Sequence, residues 1–319
     1  MLCVAFAFVV VLGLCTSALA NAGVYQDIAF LQNSHSNLLN YPTSFTQNIV
    51  PKMIHSHNDY WRDVPLYTAL SYGVSSVEAD VWLVNGTLYI GHEESALTVD
   101  RTFDSLYIQP LMQIIKGINP NTVFTKDLTG VNGVWDTSSS TALQLLVDVK
   151  TSGNETIQPV IDALEPLREL GFLTTYANDT LTTSAVTVVG TGNTPLWAIQ
   201  ALEKRDIFFD APLAALTNTT VTDDAGGSYT NVSWSTAISP LASTDYGTAV
   251  GWDGRSDISE TELSKIVKLI DNAHEFGITA RFWDTPGWPI YARDNIWKTL
   301  LENGADWLNA DDLEAASSF

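Results

Sequence analysis

Eight short runs with the composition of β-strands, most of them separated by helical patterns, fix the class of fold open to this chain. They are KMIHSHND (52–59), SVEADVWL (76–83), LQLLVDVKT (143–151), AVTVVGTG (185–192), RDIFFDA (205–211), GTAVGWD (247–253), ITARFWD (278–284) and ADWLNAD (305–311). The clearest helical patterns, ETELSKIVKLIDNAHEFG (260–277) and YARDNIWKTLLENG (291–304), each close on a glycine suited to the end of a helix. Strands that alternate with helices pair in parallel. Eight such units over residues 49–319 predict an α/β fold, a single-domain (β/α)₈ TIM barrel of the usual ~250-residue size. The segment TLYIGHE (87–93) follows its predecessor too closely for a helical crossover and reads as a hairpin or loop insertion. Residues 217–244, rich in Gly, Ser and Thr, read as a long polar loop, and no internal repeat is evident.

The N-terminus carries a different signal. Residues 1–20 contain no charge and end in Ala-Leu-Ala, the pattern of a secretion signal cleaved after Ala20. Residues 21–48 read as an N-terminal extension or a short helix. Both cysteines, Cys3 and Cys15, lie inside the apolar segment, so a processed chain would have no thiol nucleophile and no thiolate metal ligand. Five Asn-x-Ser/Thr triplets, at Asn85, Asn154, Asn178, Asn218 and Asn231, fit passage through a secretory pathway as a glycoprotein. No later stretch is long and apolar enough to span a bilayer, so no stable membrane insertion is expected after signal removal. The formal charge of −21 repels nucleic acid and anionic surfaces. An anionic substrate would therefore need a local cation, either a basic side chain or a bound metal.

In such a barrel the chemistry sits at the C-terminal ends of the strands, and residues two apart share a strand face. His55, His57 and Asp59 share a face on the first run, with His57 nearer the mouth. Glu78, Asp80 and Trp82 share a face on the second, and Asp148 and Lys150 on the third. Unpaired, this polarity would be costly to bury inside apolar runs. The carboxylates of Glu78, Asp80 and Asp148 suit a hard divalent cation, Mg²⁺ or Ca²⁺. Lys150 would place a second cation beside it. His92, in the loop after the second strand, is a candidate general acid or base. His274 falls at a helix end and reads as structural.

The series SHNDY, VEADVWL, LYIGHE and VDVK resembles the phosphatidylinositol-phospholipase-C-like phosphodiesterase superfamily of TIM barrels, which includes glycerophosphodiester phosphodiesterases and sphingomyelinase D-type toxins. The nearest branch is the fungal group of altered inheritance of mitochondria protein 6-like proteins. SHNDY is similar to the Ser-His-Asn-Thr-Tyr run of eukaryotic phosphoinositide phospholipases, and GADWLNADDL to the closing strand of glycerophosphodiesterases. The resemblance implies His57 and His92 as the acid–base pair and Glu78, Asp80 and Asp148 as metal ligands. It also implies Lys150 as a phosphate contact and Trp283 as part of the substrate pocket. His55, one layer deeper than His57, joins the substrate-binding set as a supporting residue. The arginine that follows the first histidine in glycerophosphodiesterases is absent.

The expected activity is that of a secreted, metal-dependent phosphodiesterase, a phosphoric diester hydrolase acting on a glycerophosphodiester or phospholipid headgroup. A lyase forming a cyclic phosphate is the variant in which a substrate hydroxyl attacks. Two rivals come from other classes: a secreted TIM-barrel glycosidase, suggested by ten tryptophans, and an inactive barrel that only binds. A glycosidase needs two carboxylates across the scissile bond, which leaves the Glu78/Asp80/Asp148/His92 group without a purpose.

Overall fold

The computed structural model describes residues 23–36, 39, 41 and 43–319. The apolar segment expected as a secretion signal, with Cys3 and Cys15, lies outside these residues. The chain divides into two units at Ser44/Phe45. The first carries a helix over 23–33, and the second is the barrel.

Eight parallel strands build the barrel: β1 (Lys52–Ser56), β2 (Val74–Val84), β3 (Leu143–Val149), β4 (Val186–Gly192), β5 (Ile207–Pro212), β6 (Leu241–Asp245), β7 (Thr279–Trp283) and β8 (Leu308–Ala310). Their hydrogen-bonded order is β7-β6-β5-β4-β3-β2-β1-β8. A parallel bridge between Arg281 and Trp307 brings β7 beside the approach to β8, so the sheet is nearly closed. The strand Thr87–Ile90 pairs antiparallel with β2, which is the hairpin expected there.

Period two explains both surfaces of this sheet. Outward residues such as Val77, Ala79, Val81, Leu145 and Val147 are buried in the shell beneath the helices. Inside, Leu146, Val189, Phe208, Leu241 and Trp307 form a separate apolar plug. Two residues further along each chain, on the same face, stand Asp148, Thr191, Asp210, Ser243 and Asn309. The apolar plug thus gives way to a polar ring within one step toward the mouth. Each fully buried plug side chain contributes roughly 1.5–3 kcal/mol.

The helix Glu260–Glu275 begins in a capping box between Ser259 and Glu262 and buries Ile266, Ile270 and Ala273 along one stripe. Gly277 and Gly304 end the two expected helices with φ of +70° and +93°. His274, near the first of these ends, pairs through Nε2 with Asp306 Oδ2 at 2.9 Å.

One expected strand is wrong. GTAVGWD (247–253) is not a strand; Tyr246–Ala249 forms a helical turn and the chain then loops. The sixth strand is Leu241–Asp245, inside the segment read as loop. It pairs with both β5 and β7, yet only Leu241 and Ala242 are apolar. Ser243 and Asp245 occupy its inner face near the mouth, so it offers no apolar run to detect. The same segment also contains an antiparallel hairpin, Thr220–Thr222 with Ser228–Thr230.

Candidate active site

Glu78 and Asp80 point inward from β2 and Asp148 from β3, with Asp80 directly opposite Asp148 in register. One oxygen of each lies within 4.8 Å of the others. Carboxylates this close repel, and three groups offset that repulsion. Lys150 Nζ lies 2.9 Å from Asp80 Oδ2 and 3.2 Å from Asp148 Oδ2. The Arg281 guanidinium lies 3.6 Å from Glu78 Oε1. The Asn58 backbone N–H donates to Glu78 Oε2 at 2.8 Å, from a left-handed residue with φ 48°.

The acids respond unequally. Burial, reinforced by Glu78 and Asp148, pushes Asp80 up to about 7. Asp148 is raised for the same first reason, with Lys150 opposing. For Glu78, burial also disfavours ionisation, but His55 and the Arg281 guanidinium outweigh it and hold the group well below the usual carboxylate range. Lys150 is pulled down by burial and further up by Asp148 and Asp80, so it stays an ammonium.

Asp80 Oδ1 and Asp148 Oδ1 are buried without a hydrogen-bond partner. Orphaned acceptors of this kind are costly, and a hard divalent cation satisfies them. The donor set therefore could hold a metal ion. Gly192 makes room for it: with φ at +57°, a Cβ there would fall 2.1 Å from Asp148 Oδ1.

The two expected catalytic histidines flank this cluster. His57 follows β1; its Nδ1 pairs with Asp311 Oδ1 at 2.9 Å, and its Nε2 lies 3.9 Å from Glu78 Oε2. Burial lowers its pKa, but the Asp311 hydrogen bond and the Glu78 charge raise it more, so it titrates above a free histidine. Arg62 ties the two segments together by donating to the carbonyls of His57, Asn58 and Asp311. His92 Nδ1 lies 3.6 Å from Asp80 Oδ2 and 3.3 Å from the Tyr60 hydroxyl. Its loop is held to β2 by Trp82, whose indole N–H donates to the Gly91 carbonyl at 2.6 Å.

His55, counted in the substrate-binding set as a supporting residue, does not reach the cavity. It is fully buried below the mouth and does not line the cavity; its Nδ1 pairs with Ser76 Oγ at 2.7 Å. Burial and then Arg281 push it down to about 3, so it is neutral. Its part in the site is support beneath Glu78, 3.9 Å away.

Several residues of the site escaped sequence reading, Arg281 among them. Tyr60 is buried and its hydroxyl donates to Asp80 Oδ2 at 2.7 Å while lying against Asn58 and His92. Its signal was its place in SHNDY. Asp311 was visible only as the acid ending the last strand run.

A cavity of about 560 Å³ opens at this end of the barrel. His57, Glu78, His92, Asp148 and Lys150 line one side. Asp210, Ser243, Asp245 and Trp283 line the other, and Trp283 is 37% exposed. Burial pushes Asp210 up to about 7 against the pull of Arg281. All five sequon asparagines are exposed.

Residues 43–210, which span β1 to the acid of β5, match the model of the AIM6-like phosphodiesterase domain. The chain is 44% identical over 299 residues to the altered inheritance of mitochondria protein 6 homolog of Arthroderma benhamiae, covering 91% of this chain and 90% of the relative. It is 34% identical to altered inheritance of mitochondria protein 6 of Eremothecium gossypii, over 83% of this chain and 69% of the relative. Against the Saccharomyces cerevisiae S288c protein of the same name, identity is 33% over 85% and 72%.

Proposed function

The chain belongs to the AIM6-like phosphodiesterase family, and from that premise we propose that it hydrolyses an alkyl phosphodiester with the help of a divalent metal. The observation that carries the reading is the cluster of Glu78, Asp80 and Asp148, with ligand atoms within 4.8 Å and a histidine on each flank. Glu78, Asp80 and Asp148 would hold the ion. When bound, it supplies positive charge against the non-bridging phosphate oxygens.

The side chains supply the proton chemistry. Asp311 favours the charged form of His57, which suits His57 to protonate the departing alkoxide. His92 then takes the proton of the attacking oxygen. Attack by water gives a phosphomonoester and an alcohol; attack by a neighbouring substrate hydroxyl gives a cyclic phosphate. Lys150 stands at the cluster as the permanent cation that faces the phosphate. The substrate class is a glycerophosphodiester or phospholipid headgroup, and nucleic acid is disfavoured by the −21 charge.

Hydrolysis of bis-p-nitrophenyl phosphate and glycerophosphodiesters, assayed with and without chelator, tests the reading. Activity should vanish with EDTA and return with Mg²⁺ or Ca²⁺. Activity indifferent to chelation, or unchanged in His57→Ala, would sink it. The uncharged segment 1–20 and the five exposed sequons support secretion as a glycoprotein. Recovery from the culture medium, with a mass lost on N-glycosidase treatment, is the expected outcome; confinement to mitochondria would overturn it.

A further inference from the structure

Below the cavity, Leu146, Val189, Phe208, Leu241 and Trp307 make much of the barrel interior apolar. On β1–β3 it is polar instead. His55, Ser76 and Gln144 stand in register on these three strands, and all three are buried. Ser76 lies two residues before Glu78 and Gln144 two before Leu146, so both share the inner face. None of the three lines the cavity, and the proton chemistry proposed above uses none of them. Burying such a group costs free energy that an apolar layer would not, so packing alone gives no reason to keep it.

Their hydrogen bonds run in one direction. Gln144 Nε2 donates to Ser76 Oγ at 2.9 Å, and Ser76 Oγ lies 2.7 Å from His55 Nδ1. The serine hydroxyl has one proton to give. An amide nitrogen accepts nothing, so among the described residues His55 Nδ1 is the acceptor in reach of it. Nδ1 therefore receives, and the ring hydrogen of His55 sits on Nε2. That nitrogen is buried without a hydrogen-bond partner and faces Glu78 Oε2 at 3.9 Å. The opposite tautomer would turn a lone pair on Nε2 toward the lone pairs of a carboxylate, and would leave the Ser76 proton without an acceptor. Both ends of the chain select the same tautomer.

Glu78 is where this chain meets the metal cluster. Its Oε1 faces the Arg281 guanidinium at 3.6 Å, and Arg281 Nε in turn donates to Asn309 Oδ1 at 2.9 Å. Its Oε2 accepts from the Asn58 N–H at 2.8 Å, with His55 Nε2 beyond it. Asp80 and Asp148 each keep an oxygen with no partner, whereas both oxygens of Glu78 face donors. Groups that orient a ligand without touching the ion help to set its affinity.

Resting on the metal-dependent reading of the site, we propose that Gln144, Ser76 and His55 form a positioning chain, which holds the His55 ring as the Nε2–H tautomer and so aims one N–H from the barrel interior at the metal ligand Glu78. The chain touches neither ion nor substrate, and it acts on how tightly the ion is held.

Two measurements test it, and the first needs no metal and no variant. In metal-free protein carrying ¹⁵N-labelled histidine, the long-range ¹H–¹⁵N spectrum of His55, assigned through its contacts with Ser76, should show the Nε2–H tautomer. An Nδ1–H tautomer or a doubly protonated ring would overturn the proposal. The second is calorimetric titration of Mg²⁺ or Ca²⁺. Ser76→Ala removes a single oxygen from the interior and should bind the ion about tenfold more weakly than the wild type. Val189→Ala, a change in the apolar plug of the same interior, should lower the melting temperature yet leave the affinity close to that of the wild type. Unchanged affinity in Ser76→Ala, or an equal loss in Val189→Ala, would overturn the positioning role and leave the metal reading intact. A wild type that binds neither ion would instead overturn the metal reading, and this proposal with it.

Discussion

The mouth of this barrel has two halves built by different means. On β1–β3, strand-borne side chains two residues apart deliver His57, Glu78, Asp80, Asp148 and Lys150 into one small volume, and the family match spans all of them. On β5–β7, the strands contribute Asp210, Ser243, Asp245, Arg281 and Trp283, and a long loop adds Asp223, Tyr229 and Trp234. The proposed metal ligands sit on paired strands, which fix their positions closely. The residues of the other half are carried partly by a loop, which can vary without disturbing the barrel. The proposed chemistry draws on the first half alone, so the two halves can be tested separately.

The largest effect should come from breaking the first half at its metal face. Asp148→Asn leaves the shape and removes a charged ligand, and should lower kcat/KM on bis-p-nitrophenyl phosphate by at least about 10³-fold. Calorimetry should show Mg²⁺ or Ca²⁺ binding lost in parallel. If Asp245→Asn on the other half cost as much on this small diester, the division of labour would fail.

Next in size are the histidines. His57→Ala and His92→Ala should each lower kcat by about 10²-fold. Asp311→Asn tests the assignment of roles through pH. Asp311 raises the His57 pKa, so removing its charge lowers that pKa. The alkaline limb of the rate profile should then move toward lower pH, as expected if His57 works in its protonated form. A shift of the acid limb instead would make His57 the base.

How much of this was legible beforehand follows the same division. Period two on β1, β2 and β3 was enough to gather five charged residues at one rim, because each strand is a clear apolar run whose polar residues share a face. Asp311 was not legible: its contact with His57 joins residues 254 apart and exists only because β8 closes the barrel beside β1. The strand β6 was missed because its inner face is polar where it meets the cavity. Period two also placed His57 nearer the mouth and His55 deeper, but the serine that His55 pairs with lies on the neighbouring strand and was not legible.

Tyr60 offers a smaller effect that sharpens the first half. Its hydroxyl links Asp80 to His92, so Tyr60→Phe keeps the packing and removes only that link. A fall of about tenfold in kcat with KM little changed is expected for a residue that holds the acid–base group in place. A rise in KM alone would make it a substrate contact.

The smallest effect belongs to the other half and concerns stability. Asp210 titrates near 7 in the folded chain because burial disfavours its charge, whereas an aspartate in the unfolded chain titrates near ~3.9. Between these values the unfolded chain has released its proton and the folded chain has not, so unfolding gains favour as pH rises through this window. The contribution is absent below the lower value and complete above the upper. Asp210→Asn cannot ionise, and it keeps an oxygen to accept from Thr191. Thermal melts of the metal-free proteins should coincide near pH 4 and separate as pH rises, with the variant melting a few degrees higher at pH 8. That outcome means a buried charge is retained in this half at a cost to stability that the nearby Arg281 guanidinium only partly offsets. Melting curves that also coincide at pH 8 would mean that burial does not hold the proton on Asp210.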